Sequence, residues 1–373
     1  MDSNKFMDIL TGAGFGPFIG VPCSILKAFL GGSQAGKECL IASSEGEAMG
    51  IAAGYVLGGK APVVFMQNSG LGNAVNPITS LNLIYKLPVL MVITLRGEPG
   101  IEDAPQHGIM GAMTADLLDV LGVRYEYLPD EADIFRSSVA EAMEGMKRDN
   151  KPRAFLVKKG ALTSEKGPGP EACRFEMDRR DAIEEICSAL DDNCVVVTTT
   201  GKITRDYYFS GSKARASFYM MGSMGCASAI GLGLAESDAG GHRIVVIDGD
   251  GAVLMKMGNL ATIGTRKPEK LVHIVLDNEC HETTGGQPTA SSGVDLSRVA
   301  YDCGYLTSVK VAARRDVAKE VKKALGAPGP AFILIKIRKV TPERDKSGRP
   351  SETPEELKNE FMVKFRGGKD VLV

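Results

Sequence analysis

An α/β architecture of two domains, each a mainly parallel sheet flanked by helices, is what the sequence predicts, and three observations predict it. Short apolar, β-branched runs alternate with segments of helical spacing in both halves, as expected of strands buried on both faces and joined by helical crossovers. The 373 residues suffice for two domains of ordinary size, each with its own core. Between them, over 164–178, the composition shifts to Gly, Pro and charge, which reads as a linker. The expected divisions are therefore 1–163, the linker, 179–340, and a charged, partly helical tail at 341–373.

In the first half, 6–13 has helical spacing, 15–21 is a short strand ending at Pro22, and 24–30 starts a helix behind a Ser24 cap. Strand 39–43 then delivers Ser44-Glu45-Gly46-Glu47 to a Gly/Ala-rich helix, 48–57. Carboxylates at a helix N-terminus have a plain explanation in the helix dipole. Strand 62–66 runs into the amide- and glycine-rich segment 67–77, which contains Asn68 and suits either a ligand lining or a structural loop. Strand 89–95 ends in Arg96-Gly97-Glu98-Pro99-Gly100, continuing to Asp103, Gln106 and His107, and strand 154–158 closes the half.

The second half opens with helix 179–190, strand 194–198 and a turn holding Thr200 and Gly201, which fits phosphate oxygens or an ordinary helix cap equally well. Gly222-Ser223-Met224-Gly225 precedes a small-residue helix, 226–235. The buried strand 244–247 then breaks at Gly249-Asp250-Gly251 before a helix-like segment, 252–264. Backbone N–H groups of Gly249, Gly251 and Ala252 in such a turn can face a phosphate. A second buried strand, 271–276, ends in Asp277-Asn278, so the Asp250 carboxylate and the Asn278 amide share one rim and can share a hard cation. Magnesium, held by few protein oxygens plus substrate phosphates, is the natural choice. In the tail, 353–365 reads as a helix with an apolar side of Leu357, Phe361 and Val363 or Phe365, suited to packing on a neighbouring subunit.

Composition excludes several classes of function. Net charge is −2 with the signs mixed, and no basic stripe marks a nucleic-acid partner. The longest apolar run, 87–95, is far shorter than the ~20 residues that span a bilayer, and the N-terminus lacks a basic-then-apolar leader, so a soluble, cytoplasmic protein with no membrane partner is expected. Eight cysteines without a CxxC pair give no zinc spacing and fit a reducing compartment. Of four histidines, His273 lies inside a strand and reads as a core residue, whereas His107 and His281 lie in polar loops.

The chain is similar to a known family. Gly249-Asp250-Gly251, followed 28 residues after the aspartate by the Asn278 of VLDN, resembles the metal–diphosphate motif of thiamine diphosphate (ThDP) enzymes. His281-Glu282, Gly285-Gly286-Gln287-Pro288-Thr289 and the segment from Arg96 to His107 resemble the short decarboxylases of phosphonopyruvate and sulfopyruvate. The resemblance covers most of the chain. It implies two ThDP-binding-type domains, one pyrimidine-binding and one diphosphate-binding, with the cofactor lying between subunits, hence a homodimer or higher homo-oligomer.

Residue by residue, the resemblance implies a magnesium ion held by Asp250, Asn278 and the backbone carbonyl of Cys280. It implies an aminopyrimidine received by the Gly222 carbonyl, with Met224 wedged between the two rings. Glu45 stands nine residues before Gly54-Tyr55 and matches the glutamate that promotes the imino tautomer, which leaves Glu47 a capping role. The implied reaction is decarboxylation of 3-phosphonopyruvate to phosphonoacetaldehyde and carbon dioxide, with sulfopyruvate decarboxylation or ThDP-dependent carboligation of a related 2-oxo acid as alternatives. His107 and His281 are candidates for proton relay or for binding the acidic end of the substrate. Cys23, Ser24, Asn68, Arg96 and Gln106 are substrate candidates. Cys23 stands where phosphonopyruvate decarboxylases usually carry aspartate, and there the motif is closer to sulfopyruvate decarboxylases.

Overall fold

The computed structural model describes residues 1–26, 39–163, 175–211, 213–340, 344–345 and 348–367. The chain forms two compact units, Met1–Gly169 with His281–Pro288, and Pro170–Cys280 with Thr289–Val373. In the first unit the strands are β1 (Phe18–Gly20), β2 (Cys39–Ile41), β3 (Val63–Gln67), β4 (Leu90–Thr94), β5 (Arg124–Tyr127) and β6 (Arg153–Val157). All pair in parallel, in the order β2-β1-β3-β4-β6-β5. Successive residues of β3 feed opposite cores. Val63 and Phe65 pack with Phe6, Phe135 and Phe155, and Val64 and Met66 with Met49, Leu71 and Ile93. Because both faces are covered, the strand reads as an unbroken apolar run.

The second unit repeats this plan with β7 (Cys194–Thr198), β8 (Ser217–Tyr219), β9 (Arg243–Gly249), β10 (Leu271–Asp277), β13 (Thr307–Val311) and β14 (Ala331–Lys336). A short ribbon, β11 (Cys280–His281) and β12 (Gln287–Pro288), lies between β10 and β13 in sequence. The large sheet is again parallel, in the order β13-β14-β10-β9-β7-β8. Counted along its own unit and read from the opposite edge, that order is 2-1-3-4-6-5, the same as in the first sheet. Each sheet therefore has a topological switch point between its first and third strands, the place where such sheets leave a crevice at the strands' carboxyl ends. No convincing internal repeat marks this in the sequence.

Several expectations are corrected. β5 reads RYEY, is half exposed at the sheet edge, and offers no apolar run by which to recognise it. The helix expected over 252–264 is two helices, Asp250–Met255 and Gly258–Arg266, interrupted where Lys256 leaves helical geometry (φ −132°, ψ 47°). Residues 27–30 of the helix expected at 24–30, and 164–174 of the linker, lie outside the described residues. The end of that linker is already part of the second unit's core. Met177 and Asp178 are buried, and Asp178 forms a capping box with Asp181 at the start of helix Arg179–Ala189.

The tail is likewise stitched to its own unit. Arg344 reaches Asp178 at 2.6 Å and Asp345 takes Lys202 at 2.5 Å. Helix Pro354–Phe365 buries Leu357 and Phe361, and the Phe361 ring meets Phe218 edge-on at 5.7 Å, while Val363 is exposed. Its apolar side is covered by the same chain. Among the described residues no helix is long and apolar enough to cross a membrane.

Candidate active site

In the first unit, Ser44 caps helix Glu45–Leu57 by accepting from Glu47 N–H, and the Glu47 carboxylate returns the bond by accepting from Ser43 N–H at 2.8 Å. That reciprocal cap uses up Glu47. Glu45, the first residue of the helix, is 5% exposed, and its Oε2 accepts from Asn73 Nδ2 at 2.8 Å. Space for its carboxylate exists because residue 70 is glycine. A Cβ there would fall 2.2 Å from Glu45 Oε1, so Gly70→Ala should displace the carboxylate and slow turnover while helix content by circular dichroism stays unchanged. Neither Asn73 nor Gly70 stands out in the sequence as serving Glu45.

At the end of β4, Asp103 organises the loop that Arg96 begins. Its carboxylate takes Arg96 Nε at 2.6 Å, Arg96 Nη2 at 2.5 Å, Gly97 N–H at 3.1 Å and Ala104 N–H at 2.7 Å. The remaining fork nitrogen, Arg96 Nη1, donates to Ser24 Oγ at 2.9 Å. Gly97 has φ +71°, and a Cβ on it would strike the His107 carbonyl at 2.2 Å, so the loop closes tightly before helix Gly108–Val120. His107 ends the 3-10 turn Pro105–His107, and Gln106 is exposed within it. In the sequence Asp103 is one charged residue of a polar loop, and nothing there marks it as the organiser.

Hydrogen bonding by the Arg96 guanidinium holds the Asp103 carboxyl well below the usual carboxylate range. A depressed folded pKa contributes stability that is present above the ordinary value near 3.8 and is lost as the pH falls through the folded value. Asp103→Asn should therefore cost about 2 kcal/mol in denaturant titrations at neutral pH and raise KM more than it lowers kcat.

Two substrate candidates are corrected. Cys23 is 1% exposed, its Sγ lies 3.0 Å from Thr94 Oγ1, and burial pushes its thiol pKa up. Asn68 is fully buried: its amide donates to the Arg96 carbonyl at 2.9 Å and to Thr114 Oγ1 at 3.1 Å, and accepts from Arg96 N–H at 3.2 Å. In this structure both side chains are turned into the fold, Cys23 onto Thr94 and Asn68 onto the Arg96 backbone, which Asn68 helps to position.

In the second unit, the rim between β9 and β10 carries the anticipated cation residues. Asp250 is 4% exposed, and Oδ2 accepts from Thr289 Oγ1 at 2.5 Å and from Ser291 Oγ at 3.1 Å. Burial, with Asp277 adding repulsion, pushes its carboxyl up to about 7. The side chains bonded to it are hydroxyls, so a cation is the charge partner this carboxylate calls for. Asn278 Oδ1 accepts from Cys280 N–H at 3.2 Å, and an amide oxygen has two lone pairs and is a hard-cation ligand type. Among the described residues no group of three or more His, Cys, Asp or Glu forms a chelate. One carboxylate, one amide and one carbonyl, completed by phosphate oxygens and water, is the donor set magnesium takes.

The remaining cofactor candidates divide. Gly249 N–H donates to Asp248 Oδ1 at 2.9 Å, which corrects its expected use toward phosphate; Gly251 and Ala252 lie in the first turn of helix Asp250–Met255. The Thr200 hydroxyl is also spent, donating to the Met221 carbonyl at 2.6 Å and so anchoring the segment with Gly222 and Met224. Gly201 has φ +97° at the cap of helix Lys202–Ser210. Gly225, at φ +89°, lies so close to the Ala252 carbonyl that a Cβ would approach it to 3.0 Å, which ties the Met224 turn to the helix after β9. His273 is fully buried as expected, 3.2 Å from Tyr305 Oη. Desolvation pulls His281 down to about 4, so it is neutral at pH 7.

Two parallel sheets of one strand order, with a carboxylate-and-amide rim beside a glycine turn, are the design of a ThDP-dependent enzyme, and the comparisons agree. The family described as Thiamine pyrophosphate enzyme, C-terminal TPP binding domain, matches residues 199–335. The chain is 38% identical over 373 residues to phosphonopyruvate decarboxylase of Streptomyces viridochromogenes, covering 95% of this chain and 92% of that one. It is 28% identical over 384 residues to sulfopyruvate decarboxylase of Methanosarcina acetivorans, covering 96% of each. It is 40% identical over 162 residues, 43% of this chain and 83% of the relative, to sulfopyruvate decarboxylase subunit beta of Methanothermobacter thermautotrophicus. The chain belongs to the phosphonopyruvate decarboxylase family of ThDP-dependent carboxy-lyases.

Proposed function

We propose that the chain decarboxylates 3-phosphonopyruvate to phosphonoacetaldehyde and carbon dioxide, and that Asp250, Asn278 and the Cys280 carbonyl would hold the magnesium that accompanies ThDP. The observation that carries this reading is the 38% identity over nearly the full length of a phosphonopyruvate decarboxylase, against 28% for the full-length sulfopyruvate relative. Bound ThDP supplies a cationic ring that accepts the electron pair left when carbon dioxide departs. The chain's own residues do the rest. Glu45 would hold the pyrimidine ring and its proton, Met224 would support the cofactor between its rings, and the Gly222 carbonyl would receive the amino group. Ser24 and the Arg96 fork would face the tetrahedral oxyanion, His107 would deliver the proton that replaces carbon dioxide, and the neutral His281 would hydrogen-bond the substrate.

Purified protein with ThDP and magnesium, offered phosphonopyruvate, sulfopyruvate and pyruvate separately, should release carbon dioxide fastest from the phosphonate. Pyruvate should be poor, because its methyl group leaves buried donors unpaired. Faster release from sulfopyruvate would replace the substrate assignment, and a preference for pyruvate would defeat both. Carboligation would show as an acyloin product when an aldehyde acceptor is added. Cys23→Ser should leave the phosphonate-to-sulfonate ratio of kcat/KM unchanged, since the thiol is turned toward Thr94; a changed ratio would return Cys23 to the substrate pocket.

The active species is a homodimer or larger homo-oligomer in the cytoplasm. The half-length relative named as a beta subunit supports assembly from separate pieces, and eight cysteines without a CxxC pair fit a reducing compartment. Sedimentation should give at least twice the 39.6 kDa of one chain, and an active monomer would contradict this.

A further inference from the structure

Among the described residues Lys336 is the one buried lysine, 6% exposed. Its Nζ bonds Asp277 Oδ2 and Glu279 Oε1, each at 2.7 Å. Strand register brings this about: Asp277 and Lys336 are paired residues of β10 and β14, so the parallel ladder sets them side by side at the strands' carboxyl ends. In sequence Lys336 is a lone charge closing the apolar run Ala331–Lys336. A buried ion pair of this kind is poor evidence of stabilisation by itself, which directs attention to what the pair positions.

Glu279, between the cation residues Asn278 and Cys280, has φ +58°. A residue with a side chain enters that left-handed region only when its surroundings compel it. Here the surroundings are explicit. Asp277 Oδ1 accepts from Glu279 N–H at 3.0 Å, the Glu279 carbonyl accepts from Thr289 N–H at 3.0 Å, and Lys336 holds the Glu279 carboxylate. Asp277 Oδ1 also accepts from Ser291 Oγ at 2.9 Å, the hydroxyl that lies 3.1 Å from Asp250 Oδ2. One lysine thus supports both ends of the cation rim.

We propose that Lys336 is a positioning residue for the cation. By pinning Glu279 in the left-handed conformation it fixes the spacing of the Asn278 amide oxygen and the Cys280 carbonyl. By engaging the Asp277 and Glu279 carboxylates, and offsetting one of their two charges, it leaves Asp250 as the carboxylate the cation meets. The inference rests on the reading of Asp250, Asn278 and Cys280 as ligands. Magnesium tolerates little departure from octahedral geometry, whereas calcium accepts longer and more variable ligation, so loosening this loop weakens magnesium more than calcium.

Titration calorimetry of magnesium and of calcium into ThDP-saturated protein tests this without reference to turnover. Glu279→Ala removes the brace and keeps a Cβ in the left-handed position; it should lose about tenfold in magnesium affinity, as outer-shell substitutions do, and less in calcium affinity. Glu279→Gly also removes the brace, but glycine takes this conformation freely, so its magnesium affinity should stay nearer wild type. Lys336→Met should resemble Glu279→Ala; if it fails to fold, the Glu279 pair alone decides. Wild-type magnesium affinity in Glu279→Ala, or an equal loss in Glu279→Gly and Glu279→Ala, would overturn the proposal. Asp250→Ala separates the two levels of inference. If it too binds magnesium as wild type does, the ligand assignment itself is wrong; if it alone loses binding, only the role of Lys336 is.

Discussion

Exchanging Glu45 for glutamine should leave ThDP bound and lower turnover by roughly 10²- to 10⁴-fold, the range a positioned proton-transfer group contributes. The fold has no reason to fail. Glutamine fills the same space beside Gly70, and its amide oxygen can accept from Asn73 Nδ2 as the carboxylate does at 2.8 Å. What disappears is the negative charge that, in the proposed mechanism, would favour a proton on the pyrimidine nitrogen. Exchange of the thiazolium C2 proton, followed by NMR after acid quench, should slow in step with turnover. Calorimetry should show ThDP still binding. Exchange at the wild-type rate would remove Glu45 from the activation step. Glu47→Gln is the control: its carboxylate serves the cap by accepting from Ser43 N–H, so it should cost stability, about 1 kcal/mol, and leave exchange unaffected.

How much of this was legible in sequence depended on where each residue's partners lie. Central strands such as Val63–Gln67 and Leu271–Asp277 are covered on both faces, and that burial is written as continuous apolar runs. The edge strand Arg124–Tyr127, with one side in water, carries no such mark. The glycine turn at Asp250 and the asparagine after β10 could be read because local chain geometry alone sets them on one rim. The inward bonds of Cys23 to Thr94 and of Asn68 to Thr114 and the Arg96 backbone are not legible, since a strand's end does not reveal whether a small polar residue faces the crevice or the interior. Gly70, Asp103 and Lys336 went unread for a related reason. Lys336 meets Asp277 from 59 positions further along the chain, and only the β10–β14 register joins them. The shared strand order of the two sheets was hidden too, because many apolar sequences satisfy one backbone plan.

Asp250→Ala and Asn278→Ala should each weaken magnesium-dependent ThDP binding by more than about a hundredfold, beyond the range typical of outer-shell partners. Asp250 would supply the charged ligand, and the side chains bonded to it in this structure are the neutral hydroxyls of Thr289 and Ser291. Its burial is unfavourable until a cation arrives, which gives the variant a signature that simple misfolding lacks. Without cofactor, Asp250→Ala should melt no lower than wild type, because the substitution removes a desolvated carboxylate lying close to Asp277. With saturating ThDP and magnesium the wild type should gain several degrees in Tm by mass action, whereas the variant should gain nothing. Asn278→Ala should lose the same ligand-induced shift, and its Cys280 N–H, now without the Asn278 oxygen at 3.2 Å, should exchange faster with solvent. Calorimetry and thermal melts on the two variants decide the assignment together. A normal ligand-induced rise in Tm for Asp250→Ala would move the cation elsewhere on the molecule, and a large loss of stability in the apoprotein would make Asp250 a structural residue.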